Sequence, residues 1–312
     1  MEDKQEQKVM DINVPRKGEF IDRHLERSSQ GREGFPFFSE LEFNLSGLCN
    51  RTCVFCPRGD PKNYPNVNEH LSLELYEKIV KELEEVGYDG MVLYSGFGEP
   101  LLHKRVEVLI EMTRRHCPKA RLEIVTNADF VTPPKLHSLF DAGLDTLLIS
   151  LYDGPDQLSH FQDMRAACGL REDQIILRPR WLPPEQHFGM NVTNRGGLVE
   201  IKEIGVGKLA EPLKRQCFYP FFMGMIDYDG SFLICPHDWG KKLIVGNLNR
   251  QSLLDLWDGD LMRQVRLKLA DANRHIPACR VCDVDGVLFG RRHFEKWIDY
   301  YENHQVSFQK QD

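Results

Sequence analysis

The 312-residue chain has no run of eighteen apolar residues, so no stretch of it reads as a membrane span. Its first segment, Met1–Arg32, is polar and charged and lacks an apolar h-region, so it is read as neither a signal peptide nor a membrane anchor. Positive charge is not in excess: the formal net charge is −7, which removes the electrostatic case for a nucleic-acid partner. The nine cysteines are odd in number and fall in clusters. A disulfide framework fits that poorly; metal ligation in a reducing, cytoplasmic compartment fits it better. What is present, 41% hydrophobic and 28% charged residues, is ordinary for a globular protein. The length predicts one catalytic domain with a smaller appendage.

Cys49, Cys53 and Cys56, in L-C-N-R-T-C-V-F-C, are spaced C-x3-C-x2-C, with no histidine or fourth cysteine near enough to complete a local set. A structural zinc wants four protein ligands and an ordinary 4Fe–4S cluster wants four thiolates. Three on one short loop predict a cubane with one iron left open; a zinc knuckle is the plain alternative. The loop resembles the signature of the radical S-adenosylmethionine (SAM) superfamily. The resemblance implies that the amino and carboxylate groups of SAM chelate the open iron, and that an electron from the cluster cleaves SAM to a 5′-deoxyadenosyl radical. It also implies SAM contacts. Phe55 would pack by the adenine. Gly96, Gly98 and Glu99, in M-V-L-Y-S-G-F-G-E-P, resemble the family's Gly-Gly-Glu segment for the SAM ammonium, although Phe97 separates the glycines. Thr126 and Asn127 resemble the segment that reaches the ribose or carboxylate, and Ser150, in I-S-L-Y-D-G, takes a matching place. By residue chemistry alone, Ser, Thr and Asn at such points serve equally as caps of turns and helices.

From residue 37 the pattern alternates. Strands are expected at Leu41–Leu45, Met91–Ser95, Leu122–Thr126, Thr146–Leu151 and Ile175–Leu177. Between them, Ser72 caps a helix running to about Val86, with Leu73, Tyr76, Ile79, Val80 and Leu83 on one face. Val106, Leu109, Ile110 and Thr113 mark a second helix that stops near Cys117, and Pro133 begins a third that reaches Ala142. Such alternation predicts an α/β fold with a parallel sheet and outer helices. The family resemblance makes that a partial TIM-like barrel, (β/α)6, with ligands at the carboxyl ends of the strands. The expected division is an N-terminal arm over 1–36, a core over 37–210, an auxiliary-cluster domain over 211–290, and a C-terminal helix and tail over 291–312.

The second cysteine set is Cys217, Cys235, Cys279 and Cys282. Asp229-Gly230 is hairpin chemistry between the apolar runs Phe221–Ile226 and Phe232–Ile234. The hairpin brings the flanking cysteines together and the later C-x2-C closes the set, for a zinc or a fully ligated 4Fe–4S cluster. Beside the first motif, this resembles the auxiliary-cluster extensions called SPASM and twitch, with V-G-N-L and S-L-L-D-L-W, Val245–Trp257, adding to the likeness. No cysteine follows Cys282, which implies the single-cluster twitch form. The arrangement resembles the aminocyclitol dehydrogenase type of the superfamily.

Other candidates rest on single residues. Arg178 and Arg180, in L-R-P-R-W, suit a carboxylate or alcohol-rich substrate or an ordinary surface. Cys117 reads as structural. Cys168, unligated, is a hydrogen donor if the enzyme is an epimerase. His237, Asp238 and Trp239 either face the cluster or pack a small core. The expected function is hydrogen abstraction from a polar small molecule, a sugar or aminocyclitol, with net oxidation of an alcohol and the auxiliary cluster as electron acceptor. Epimerisation, modification of a ribosomally made peptide and a non-enzymatic metal-binding protein are the alternatives. A flavodoxin- or ferredoxin-type protein is the expected electron donor.

Overall fold

In the computed structural model, which describes residues 11–27 and 35–304, the β–α alternation is realised in full. Helix α1 (Asn13–Arg27) comes first. There follow β1 (Glu40–Phe43), α2 (Leu73–Glu85), β2 (Met91–Tyr94), α3 (Val106–His116) and β3 (Arg121–Thr126). Helix α4 (Pro133–Asp141), β4 (Thr146–Leu151), α5 (Asp156–Ala167) and β5 (Ile175–Pro179) complete the alternation. The expected cap and helix start are in place: Ser72 accepts from the Leu75 amide, and Pro133 begins α4, which Thr132 caps. One residue of the α2 face differs. Leu75, not Leu73, is buried with Tyr76, Ile79, Val80 and Leu83.

The sheet is α/β in class, as expected, and runs β5-β4-β3-β2-β1-β6-β7-β8. Strand β6 (Met223–Ile226) pairs in parallel with β1, Glu40 opposite Met223 and Phe43 opposite Ile226. Strands β7 (Ser231–Leu233) and β8 (Ile244–Asn247) then continue antiparallel. The turn between β6 and β7 uses Gly230 at φ +82°. The hairpin expected in a separate appendage therefore extends the core sheet. Strand propensity announces a hairpin, but not which edge it joins.

Alternation along the strands sorts the two faces. Phe43, Val92, Ile124 and Ile149 pack into the large core under the helices. The residues between them, Glu40, Glu42, Arg121, Glu123 and Arg178, lie on the opposite, inner face. Segment 1–36 was expected to be an arm; α1 within it covers this inner face. Arg16 donates to Glu123 at 2.6 Å and Lys17 to Glu40 at 2.7 Å, while Ile21 packs on Phe222 and Met223. Buried strand carboxylates demand cations, and α1 supplies them. At its far end His24 bonds Asp89 at 2.8 Å and Ser39 at 2.6 Å, and Ser39 bonds His293.

Beyond the sheet lie α6 (Tyr219–Phe222), α7 (Leu253–Trp257), α8 (Asp260–Ala270) and α9 (Arg291–Asn303). Buried Arg266 is sandwiched between Trp257 and Trp297, 4.1 and 3.8 Å from the ring centroids. The expected C-terminal helix is thus α9; the tail beyond residue 304 lies outside the described residues. No helix among the described residues is long and apolar enough to cross a membrane.

Candidate active site

The loop after β1 carries Cys49, Cys53 and Cys56, and it is held by contacts that sequence reasoning missed. Asn66 brackets Cys49, accepting from its amide at 2.9 Å and donating to its carbonyl at 3.1 Å. Arg58, buried just past Cys56, donates to the Phe97 carbonyl, to Asn66 at 2.7 Å and to the Gly47 carbonyl at 3.0 Å. It thereby pins the cysteine loop to the Gly96–Glu99 loop. Arg51 donates to Asp129 at 2.7 Å and Asp153 at 2.8 Å, tying the same loop to those after β3 and β4. Burial raises all three thiols, Cys53 to about 12, and Cys49 and Cys56 raise it further. They gather without a counter-cation sufficient to ionise them, which a metal would supply.

Glu99 is the centre of the expected SAM contacts. Its Oε1 accepts from Thr126 Oγ1 at 2.7 Å and the Leu101 amide at 3.0 Å, and Oε2 accepts from the Asn127 amide at 2.9 Å. The structure thus brings Glu99, Thr126 and Asn127 into one cluster, and Asn127 reaches on to Asn50 at 2.8 Å in the cysteine loop. Burial pushes the Glu99 carboxyl up to about 7 despite these three donors. A buried carboxyl so raised fits a cation arriving with a ligand, such as an ammonium. Gly98 permits the close approach of the loops: a Cβ there would meet the Ser46 carbonyl oxygen at 2.1 Å. Gly96, at φ +98°, would clash with Asn44 and Met225. Phe55 stacks on Tyr152 at 6.0 Å and packs on Phe188, giving an apolar wall beside the loop. Ser150 is buried at the end of β4 and hydrogen-bonds Tyr152.

The second cysteine set is assembled by Arg274, which no motif marked. Its guanidinium donates to the carbonyls of Arg215, Gln216, Val284 and Asp285, at 2.6–2.9 Å. It thus stitches the chain before Cys217 to the chain after Cys282. Gly286 is required beneath it, since a Cβ would meet Cys217 Sγ at 2.7 Å. Cys217, Cys279 and Cys282 all act on Cys235, whose thiol burial raises well above its ordinary value. No group of three or more His, Cys, Asp or Glu among the described residues is arranged to hold a single metal ion. Four mutually influencing thiols form a donor set that a fully ligated 4Fe–4S cluster would fill.

Two further charged groups act on each other, Glu42 and Arg195. Glu42, on the inner face of β1, is buried, hydrogen-bonded to Ser95, and raised to about 7 by burial and by Glu40. Arg195, at φ +48°, has a buried Nε with no hydrogen-bond partner. Arg195 acts on Glu42, on Cys56 of the first set and on His237, two residues past Cys235. Its loop is fixed by buried Asn194, which donates to the Gly207 carbonyl at 2.8 Å and to the Val281 carbonyl at 2.6 Å, inside the C-x2-C. Sequence reasoning marked neither Asn194 nor Arg195, because nothing local shows where their loop is anchored.

Other expected residues fall elsewhere. Cys168 follows α5 and packs on the outer-helix core, at the end of the sheet opposite the cysteine loops. Arg178 and Arg180 share Asp11, Arg178 at 2.7 Å, so they hold the start of α1. Burial lowers Arg180 to about 10. His237 is buried and neutral, lowered to about 3 by burial. Asp238 caps a turn through the amides of Lys242 and Leu243, and Trp239 packs on Phe97 and Tyr64. Cys117 is buried under α2, as its structural reading expected.

Comparison with known proteins agrees with this geometry. The radical SAM superfamily profile matches residues 43–173, and that of an iron–sulfur cluster-binding domain, SPASM, matches residues 217–283. The S-adenosyl-L-methionine-dependent 2-deoxy-scyllo-inosamine dehydrogenase of Niallia circulans is 26% identical over 248 residues, 79% of this chain and 93% of that protein. A crystal structure of BtrN in complex with AdoMet and 2-DOIA superposes with a TM-score of 0.68 at 23% identity, covering 82% of this chain and 97% of that one. Streptococcus suis SuiB bound to S-adenosylmethionine gives a TM-score of 0.50 at 16% identity, over 72% of this chain and 67% of that one.

Proposed function

From a chain that carries a radical SAM domain followed by a SPASM iron–sulfur cluster-binding domain, we propose an alcohol dehydrogenase acting on an aminocyclitol or similar polyol. When bound, SAM on an open-iron cluster supplies a 5′-deoxyadenosyl radical for hydrogen abstraction, and the auxiliary cluster supplies a one-electron acceptor. Cys49, Cys53 and Cys56 would hold the first cluster; Cys217, Cys235, Cys279 and Cys282 would hold the second. Glu99, with Thr126 and Asn127, would take the SAM amino-acid end, Gly96 and Gly98 giving backbone access. Phe55 and Tyr152 would wall the adenine, and Ser150 would orient Tyr152. Arg178 and Arg180, committed to Asp11, anchor α1 rather than touch substrate.

The observation that carries the reading is Glu42. It is a buried carboxyl raised to about 7 on the inner face of β1, and the Arg195 charge that acts on it also acts on Cys56 of the first cysteine set. Oxidation of an alcohol requires its hydroxyl proton to leave, and Glu42 is placed to accept it on a carboxylate oxygen. Arg195, with its unpartnered Nε, would hold the oxygen as negative charge develops on it. Epimerisation would need a hydrogen donor at this place, and Cys168 lies on the outer layer. A small redox protein of the flavodoxin or ferredoxin type and a cytoplasmic setting complete the proposal.

The test is anaerobic incubation of cluster-reconstituted protein with SAM, reductant and 2-deoxy-scyllo-inosamine or related aminocyclitols. The expected product lacks two hydrogens relative to the substrate, and Glu42→Gln slows its formation by about 10²-fold or more. An isomeric product carrying solvent deuterium at carbon would overturn the dehydrogenase reading.

A further inference from the structure

Helix α1 precedes the family match, which begins at residue 43, yet it places a charge beside Glu42. Lys17 Nζ lies 2.7 Å from Glu40 Oε1, and Glu40 is fully buried with a second oxygen, Oε2, that has no hydrogen-bond partner. Glu40 and Glu42 are two residues apart on one strand, so both carboxyls project to the inner face. Two carboxyls in a dry place cannot both ionise cheaply. The groups facing Glu42 are Glu40 on its own strand, Ser95 after β2, Lys17 on α1 and Arg195 from the loop anchored to the second cysteine set. The same Lys17 and Arg195 act on His237. Lys17 is largely withdrawn from solvent, its side chain 17% exposed, and lies over the Phe289 ring at 5.6 Å, so its position is fixed from both sides.

We propose that Lys17 is a positioning residue that, by pairing with Glu40, sets the charge felt by Glu42 beside it on the inner face of β1. This rests on the reading of Glu42 as the group that receives the alcohol proton. The alcohol O–H bond breaks, and its proton passes to a Glu42 carboxylate oxygen. Helix α1 is then a working wall of the pocket, and the proton acceptor is tuned from outside the shared domain.

The sign follows from the charges. Lys17→Met removes the cation, so Glu42 holds its proton to higher pH, and the acidic limb of turnover moves up by about one pH unit or more. Glu40→Gln removes the like charge and moves that limb down. The double variant returns it close to the parent, and Lys17→Arg leaves it in place. A merely structural lysine gives no such cancelling pair. Two readouts are taken on the reconstituted protein. One is the pH profile for 2-deoxy-scyllo-inosamine. The other is infrared titration of the buried carboxyl stretch that disappears in Glu42→Gln. Opposite, cancelling shifts of the infrared titration support the inference. An unmoved titration in Lys17→Met, or a shift of Glu40→Gln in the same direction, overturns it. If Lys17→Met does not fold, Lys17→Arg and Glu40→Gln carry the test, and failure of Glu40→Gln to lower the titration overturns it. If the infrared shifts occur while Glu42→Gln turns over like the parent, the inference stands and the assignment of Glu42 as proton acceptor falls.

Discussion

Glu99 should make SAM affinity depend on pH in a way that one substitution removes. Burial raises its carboxyl from an ordinary 4.5 to about 7. At about 1.4 kcal/mol per pH unit, holding it ionised at neutral pH costs the ligand-free protein about 3 kcal/mol. The folded pKa is raised, so the favourable contribution is fully present below 4.5 and is lost as pH rises through about 7. A ligand ammonium at the carboxylate reverses that preference. Binding then weakens roughly tenfold for each pH unit below about 7, as a proton must first be expelled. SAM's own amino group also titrates, losing its ammonium charge as pH rises, so Glu99→Gln is the control that isolates the protein's share. The variant keeps the shape, but its amide NH2 meets the Asn127 N–H that Oε2 now accepts. Loss of the charge-assisted contact should cost on the order of 1.5–3 kcal/mol, or about 10- to 150-fold in Kd. Glu99→Ala is the poorer choice, because it strands the Thr126, Leu101 and Asn127 donors and costs stability as well. Equilibrium dialysis of SAM against anaerobically reconstituted parent and Glu99→Gln, a unit below and a unit above neutrality, decides the matter. Parallel curves, or a Glu99→Gln Kd equal to the parent's, would refute the reasoning.

Metal analysis should find about eight irons per chain, since each cubane holds four. Replacing Cys49, Cys53 and Cys56 with alanine should leave about half and a coloured protein. One zinc with four or fewer irons would exclude the auxiliary cluster. Asp11→Ala should destabilise the fold by about 3–5 kcal/mol in urea melts, because it leaves the buried guanidiniums of Arg178 and Arg180 unpaired. A parent-like midpoint would mean α1 does not depend on that anchor. Gly98→Ala should cost about 1–3 kcal/mol and impair cluster loading, its Cβ being driven into the Ser46 carbonyl. Gly207→Ala, where only the Glu200 side chain comes within ordinary contact, is the control that should melt like the parent.

The chain's local chemistry was legible in one dimension because its signals are local. Three cysteines within eight residues, a Gly-Phe-Gly-Glu turn after a strand, Ser72 as a cap, Pro133 at a helix start, and Asp229-Gly230 between apolar runs each act over a few bonds. Such features read the same in the sequence as in the fold. The tertiary structure decided what depends on contacts between distant segments. Strand β6 joins β1 because its apolar face and free edge match, a choice made across some 180 residues that no periodicity records. Segment 1–36 reads as a charged arm because its partners, Glu40, Glu123 and Arg178 on strands and Arg180 just after β5, are brought to it only when the sheet forms. Arg274 and Asn194 are single residues in loops, and only folding aims them at the carbonyls that close the second cysteine set. Glu42 gives the same lesson for chemistry. A glutamate in a strand is ordinary in sequence, and it becomes a proton acceptor only when burial, Glu40, Lys17 and Arg195 meet around it.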